Sequence, residues 1–150
     1  MELLLISELG VHQGKSSRVI INRFGNGEDV LECLNKLVRD NHISSGSFIG
    51  IGSVQKAEIG FFVGDGKYSV VTCNGPLEVS SCIGNVASKE GVPFVHAHIC
   101  LADRQGKAFA GHLMPGCIVD ATFEVVVHEY EGLDVKRKLD SATGLFLLDT

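Results

Sequence analysis

Residues 95–113 read VHAHICLADRQGKAFAGHL and decide the fold, because they predict a β-hairpin with two chemically different faces. The segment 104–106 has the composition of a three-residue hairpin loop, with its glycine where the left-handed backbone conformation is needed. Counting outward from this loop, two residues at a time, places His98 directly opposite His112. The register of the hairpin is therefore predicted from the sequence.

Alternation along both strands separates an apolar face of this hairpin from a histidine face. The apolar face is suited to the core and consists of Val95, Ala97, Ile99, Leu101, Phe109, Gly111 and Leu113. The other face carries His96, His98 and His112 beside small alanines that leave room for a ligand. On one strand His96 and His98 lie roughly 6 to 7 Å apart at their Cα atoms, and the side chains of His98 and His112 start about 5 Å apart. Three imidazole groups are thus expected to converge.

His96, His98 and His112 form a candidate metal site, with zinc as the predicted ion, because imidazole binds zinc at ~2.0 to 2.1 Å. Three protein ligands without an evident fourth leave an open coordination position, from which a bound ion can polarise a carbonyl or activate water. The alternative is hydrogen bonding of the histidines across a polar sheet face or at a subunit contact. The isolated histidines are interpreted as ordinary structural residues, and these are His12, His42 and His128.

One helix is predicted, at residues 28 to about 41, where apolar residues recur with helical periodicity. Asn26 or Gly27 is expected as its N-cap. An apolar run at residues 3–6 predicts a strand. Further strands are predicted at 18–24, 47–54, 57–63, 68–72, 77–83 and 117–127, the last with every second residue from Cys117 to Val127, Ala121 included, facing inward. Many strands around one helix favour an α+β fold, with a mainly antiparallel sheet and a single compact domain over residues 1–150.

The composition argues against nucleic acid as a partner. The formal net charge is −5, whereas DNA-binding domains concentrate cations to neutralise phosphates. The densest basic run, residues 136–138, is flanked by Asp134 and Asp140 and is interpreted as a solvated face. With only 21% charged residues and a mean hydropathy of +0.21, part of the apolar surface is expected to lie in an oligomer interface.

Cysteine usage and hydropathy indicate a cytoplasmic protein. Five cysteines, an odd number without a C-x-x-C pair, suit reduced thiols better than a disulfide framework. No apolar run is long enough to span a bilayer, so no membrane partner is expected.

Other motifs are weak, so no organic cofactor site is predicted. The Gly-Ile-Gly at 50–52 has Gln55 where a dinucleotide-binding motif needs its third glycine. Glu78 and Glu124 are the candidate catalytic residues, as a general base or as partners of the metal ligands. The alternative interpretation of both is an ordinary exposed strand carboxylate.

The segments HAHICLADRQGK at 96–107 and GHLMPGC at 111–117 closely resemble the PPC (plants and prokaryotes conserved) domain. The resemblance extends over roughly residues 16–148 and includes GIGSV at 50–54, LEV at 77–79, GN at 84–85, Glu124 with the valines at 125–127, and a tail at 140–147. It implies a compact α+β domain that forms a homotrimer. Plant members join this domain to an AT-hook, and this sequence contains no Arg-Gly-Arg-Pro hook. The plant hairpins lack the three histidines, which mark a prokaryotic-type member.

A more distant likeness is to acetolactate decarboxylases, which hold zinc with a His-x-His pair and a later histidine. His96, His98 and His112 are similar to that pattern in type and order. The spacing to the third histidine differs, and the catalytic arginine and glutamates of that family have no recognisable match. The likeness therefore supports metal binding more than decarboxylation.

Three hypotheses follow, and the sequence leaves open whether the protein is an enzyme. The first is a trimeric zinc-binding domain with an open position for a small-molecule ligand or substrate. The second is a DNA-associated or protein-interaction module without catalysis. The third is a purely structural assembly domain.

Overall fold

Residues 10–150, the part of the chain that the computed structural model describes, form one helix and eight strands. The elements, in chain order, are β1 (Lys15–Phe24), α1 (Val30–Asp40), β2 (Gly46–Gly64), β3 (Lys67–Lys89), β4 (Val92–Ala102), β5 (Ala108–Leu113), β6 (Ile118–Glu131), β7 (Lys136–Leu139) and β8 (Phe146–Leu148). The strand predicted at residues 3–6 lies outside the described residues. No helix among the described residues is long and apolar enough to cross a membrane.

Helix α1 forms as its apolar periodicity predicts, but it begins later than expected. Its N-cap is Asp29, so the prediction of Asn26 or Gly27 is wrong. One carboxylate oxygen of Asp29 accepts the Glu32 N–H at 3.0 Å and the other accepts the Gly116 N–H at 2.6 Å. The Gly27 N–H instead bonds to the Val119 carbonyl at 2.9 Å, which ties that residue to the sheet. The spacing of Asp29 and Glu32 was the local signal that could have identified this cap.

Strands β2 and β3 are each continuous where the sequence predicted two shorter strands. They pair antiparallel over nearly their full lengths, from Gly46 opposite Val86 to Gly64 opposite Lys67. Register shifts in this ladder, for example between Val54 and Lys56, absorb the irregular residues that suggested breaks. A long two-stranded ribbon therefore forms the centre of the fold.

The sheet closes on itself around the ring β2–β5–β4–β3, since β2 pairs with both β3 and β5. β6 joins β2 outside this ring and β1 pairs with β6, while β7 runs parallel to β3 and carries β8. The result is a small barrel with extra strands, which confirms the predicted α+β class with a mainly antiparallel sheet. Helix α1 packs against β4 and β6, and its buried face is Val30, Leu34, Leu37 and Val38.

Strand β6 keeps the predicted alternation with one exception. Val119, Phe123, Val125 and Val127 are fully buried, but Ala121 is exposed rather than inward-facing. Three residues of β6, 120–122, lie opposite the single residue Ser53 of β2, because Gly52 pairs with Phe123 and Val54 with Val119. The bulge that this mismatch creates turns Ala121 outward.

Candidate metal centre

The β4–β5 hairpin has the register that the sequence predicts. His98 lies opposite His112 across the two strands, and the pairing continues to Ala102 opposite Ala108. The loop closes through the Asp103 N–H, which bonds to the Lys107 carbonyl at 3.0 Å. Gly106 adopts the expected left-handed conformation with φ of 78°. Local chemistry alone therefore positions the histidine face.

His96, His98 and His112 converge on the outer face of this hairpin. Their ring centroids are 5.1 to 5.6 Å apart, and one ring nitrogen from each lies within 4.8 Å of the other two. Small rotations of the imidazoles would bring these nitrogens to the separation that four-coordinate zinc requires, which is about 3.4 Å for bonds of ~2.0 to 2.1 Å. The three residues can therefore hold one metal ion.

Among the described residues, the Nδ1 atom of His112 is buried without a hydrogen-bond partner. A buried polar atom without a partner is costly, and a bond to a metal ion or to an ordered water would remove the cost. The residues present thus fit a metal ion in the chemistry of their donors and in this unsatisfied nitrogen.

The surroundings keep two of the histidines neutral. Burial lowers the pKa of His96 to about 4, with further contributions from the charge of Arg137 and from the neighbouring histidines. The pKa of His112 is lowered by burial, then by His98 and Arg137. Metal ions bind the unprotonated imidazole. At neutral pH both rings are therefore ready to bind a metal without first releasing a proton.

Two adjoining cavities flank the triad. The larger, of about 520 Å³, is lined by aromatic and aliphatic groups that include Phe61, Phe62 and Leu145. Tyr68 borders it and stacks on the His112 ring with centroids 4.7 Å apart. The second cavity, of about 340 Å³, shares Tyr68, His96, His112 and Leu145 with the first. The histidines therefore lie where an apolar cavity meets a second one.

Arg137 lines the second cavity and was missed by sequence reasoning. The basic run 136–138 was interpreted as a solvated face, which is wrong for Arg137, whose exposed fraction is 8%. Strand β7 alternates, so Lys136 and Lys138 are exposed and Arg137 is turned inward. The segment is a strand, and alternation along a strand turns its middle residue to the opposite face. This alternation was the signal that could have identified Arg137.

The two candidate catalytic carboxylates lie away from the triad. Glu78 is exposed opposite Ala102, four residues along β4 from His98, a separation of roughly 13 Å. Glu124 is exposed opposite Arg23 and Ile51, in the part of the sheet formed by β1, β6 and β2. The structure does not bring either side chain to the histidines.

The remaining histidines are also separate from the triad, and one has an ordinary hydrogen bond. His12 bonds through Nε2 to the Asp149 carbonyl at 3.1 Å. His128 lies on β6 opposite Val19 and Ser47.

Comparison with known proteins identifies one domain family and several solved structures that are similar to this chain. The family profile of the Plants and Prokaryotes Conserved (PCC) domain matches residues 11–131. A plant- and prokaryote-conserved (PPC) protein of Pyrococcus horikoshii is 31% identical with a TM-score of 0.87, over 95% of this chain and 98% of that one. A protein of Archaeoglobus fulgidus described as metal-containing is 28% identical with a TM-score of 0.84, over 93% of this chain and 99% of that one.

Two further similarities bear on function and fold. A Bacteroides thetaiotaomicron protein with a provisional DNA-binding designation is 26% identical with a TM-score of 0.82, over 91% of this chain and 96% of that one. A Staphylococcus aureus protein described as similar to α-acetolactate decarboxylase is 12% identical with a TM-score of 0.53, over 78% of this chain and 53% of that one. The second likeness shows a shared fold alone.

Among curated proteins, the bifunctional protein GlmU of a Synechococcus strain is 29% identical over 119 residues, which are 79% of this chain. This chain spans only 18% of the length of that protein.

Proposed function

We propose that this chain, which belongs to the Plants and Prokaryotes Conserved (PCC) domain family, is a trimeric zinc-binding domain. Its metal ion would keep an open coordination position for a small-molecule ligand. The observation that carries this proposal is the convergence of three ring nitrogens within 4.8 Å of one another. The metal-containing description of the Archaeoglobus fulgidus protein supports it.

The donor set favours zinc. Imidazole nitrogen suits zinc, copper, nickel and iron, and a tetrahedral zinc site with three protein ligands keeps one position for water or a ligand. When bound, such an ion can polarise a carbonyl or lower the pKa of a water. His96, His98 and His112 would hold the ion, and the adjoining cavities would receive the ligand.

An apolar row on the outer face supports self-association into a trimer. Ile21, Val126, Ile49 and Ile83 lie opposite one another across β1, β6, β2 and β3. Of these, Ile21, Ile49 and Ile83 are 75%, 48% and 58% exposed. Contiguous exposed apolar side chains of this kind mark interaction surfaces. The row continues to His98, so the assembly would border the metal site.

Cytoplasmic localisation is also part of the proposal. All five cysteines are free thiols, and burial raises the pKa of Cys82 and Cys117 to about 12. Reduced, inert core thiols suit a reducing compartment.

Elemental analysis of purified protein tests the metal site. We expect about one zinc ion per chain in wild-type protein and less than about a tenth of that in His98→Ala, because loss of one of three ligands weakens a zinc site severely. His128→Ala is the matched control, since it removes a histidine on another strand and should retain the metal. Wild-type protein that does not bind zinc at stoichiometric amounts after incubation with zinc would contradict the proposal.

A DNA-associated module is the second candidate, favoured by the designation of the Bacteroides thetaiotaomicron protein. The formal net charge of −5 opposes it, because DNA phosphates are neutralised by Lys and Arg. A gel-shift assay at low salt distinguishes the candidates. DNA binding that weakens steeply with added salt would support this second function.

A further inference from the structure

Arg137 is a buried cation without a carboxylate partner among the described residues. Its Nη2 donates to the Asn85 side-chain oxygen at 2.6 Å and its Nη1 to the Phe146 carbonyl at 3.1 Å. Both partners are neutral, and no ion pair of the described residues includes Arg137. Burial alone accounts for the lowered pKa of this guanidinium. A charge removed from water usually has an oppositely charged partner, whereas this one has only two neutral acceptors and the Phe94 ring, whose centroid lies 5.4 Å from Cζ, in residues 10–150.

The guanidinium also retains donors for a ligand. Its Nε atom is buried and makes no hydrogen bond within the described chain. Each terminal nitrogen has used only one of its two N–H groups. Because Arg137 lines the cavity beside His96 and His112, the unused N–H groups of its terminal nitrogens are the donors for a group bound there, whereas Nε is enclosed. A carboxylate matches the planar fork of N–H groups.

A second cation borders the same cavity. The ammonium group of Lys89 lies over the Phe146 ring at 3.9 Å and over Phe94 at 5.1 Å. No ion pair among the described residues includes Lys89. With two cations and no carboxylate among its lining residues, this cavity has a positive potential that favours an anion.

The remaining walls favour an organic anion over an inorganic one. Phe94, Leu145 and Phe146 line the cationic cavity, which shares Tyr68 and Leu145 with the apolar cavity that contains Phe61 and Phe62. A carboxylate at Arg137 therefore leaves the rest of its molecule against aromatic surface and beside the triad. A phosphate ion would leave that surface uncovered.

We propose that the two cavities together bind a small organic carboxylate, with the carboxylate on Arg137 and Lys89 and the apolar part toward Phe61 and Phe62. This inference deepens the proposed function and rests on it for the role of the triad, because a polar group on the same ligand would then reach the open metal position. Anion binding by Arg137 itself does not require the metal.

Calorimetric titration at constant ionic strength tests this, with butanoate, butanamide and inorganic phosphate as probes. We expect butanoate to bind with at least about tenfold higher affinity than butanamide, since a charge-assisted bidentate bond is lost in the amide. Butanoate should also bind more tightly than phosphate. Equal binding of butanoate and butanamide, or preferential binding of phosphate, would overturn the proposal.

Variants assign the binding to this cavity. Arg137→Met should abolish butanoate binding, and Lys89→Met should weaken it several-fold. Lys89→Met keeps the proposal testable if Arg137→Met does not fold, because Lys89 is only half-buried. The matched control is Lys138→Met, which removes an exposed cation from the same strand and should change nothing. Butanoate binding that is unchanged in Lys89→Met, or unchanged in a folded Arg137→Met, would contradict the assignment.

Titrations of chelator-treated and zinc-loaded protein separate the two proposals. If the protein does not bind zinc but the chelator-treated protein still binds butanoate through Arg137, only the metal proposal is overturned. Stoichiometric zinc without butanoate binding in either form would overturn the carboxylate proposal only.

Discussion

His96 and His112 are held neutral by burial against the hairpin and by the nearby cation of Arg137. Arg137 therefore has two effects at the residue scale. It disfavours protonation of the imidazoles, which keeps their nitrogens free for a metal, and it supplies an uncompensated positive charge for an anionic ligand. The same side chain thus acts on two of the metal ligands and on the second cavity beside them.

The stability of metal-free protein should depend on pH through His96. The unfolded chain takes up this proton near the ordinary pKa of 6.5, whereas the folded chain takes it up only near pH 4. Stability from the neutral imidazole is complete above pH 6.5 and is lost as the pH falls toward 4. Urea unfolding of chelator-treated protein should show a free energy of unfolding that decreases over this interval.

The variant His96→Gln should show a smaller decrease over the same interval, because it has no proton to bind. An identical pH dependence in wild type and His96→Gln would refute this account.

At the scale of elements, Asp29 joins helix α1 to the strand that follows the histidine hairpin. Its carboxylate caps the helix at Glu32 and also accepts the Gly116 N–H in the turn after β5. Its backbone forms an isolated bridge with Ile118 at the start of β6. One residue therefore connects the helix with this turn through its side chain and with the start of β6 through its backbone.

Replacement of Asp29 by alanine should lower the free energy of unfolding by about 1 to 2 kcal/mol, because a helix N-cap is lost. Asp29→Asn should cost less, since an amide oxygen still accepts the Glu32 N–H. Chemical denaturation monitored by circular dichroism measures both. A loss in Asp29→Ala no larger than that in Asp29→Asn would count against the capping role.

At the scale of the whole molecule, the barrel buries its core and still leaves a large apolar surface outside. The exposed residues Ile21, Ile49 and Ile83 form one row with half-buried Val126, across strands that are distant in sequence. Pairing of β1 with β6, and of β6 with β2, assembles this row. The row extends to His98, which places self-association and the metal site on one face.

Sedimentation equilibrium of wild-type protein should give a mass of about 48 kDa, three times the 16.1 kDa of the chain. Ile49→Lys should shift the mass toward a single chain, because it places a charge in the middle of the apolar row. Val92→Lys is the matched control, since Val92 is 59% exposed but lies outside the row. A monomeric wild type, or a trimer unaffected by Ile49→Lys, would contradict the proposed interface.

The sequence by itself determined the histidine hairpin, the helix and the α+β class. Strand alternation with a period of two, a glycine turn and helical periodicity are local properties, so the facing of His98 and His112 followed from counting along the chain. Only the tertiary structure decided what surrounds the triad. Tyr68 and Arg137 reach it from β3 and β7, and the partner of Asp29 lies far along the chain. Contacts between distant segments depend on how the barrel closes, and no local periodicity records them.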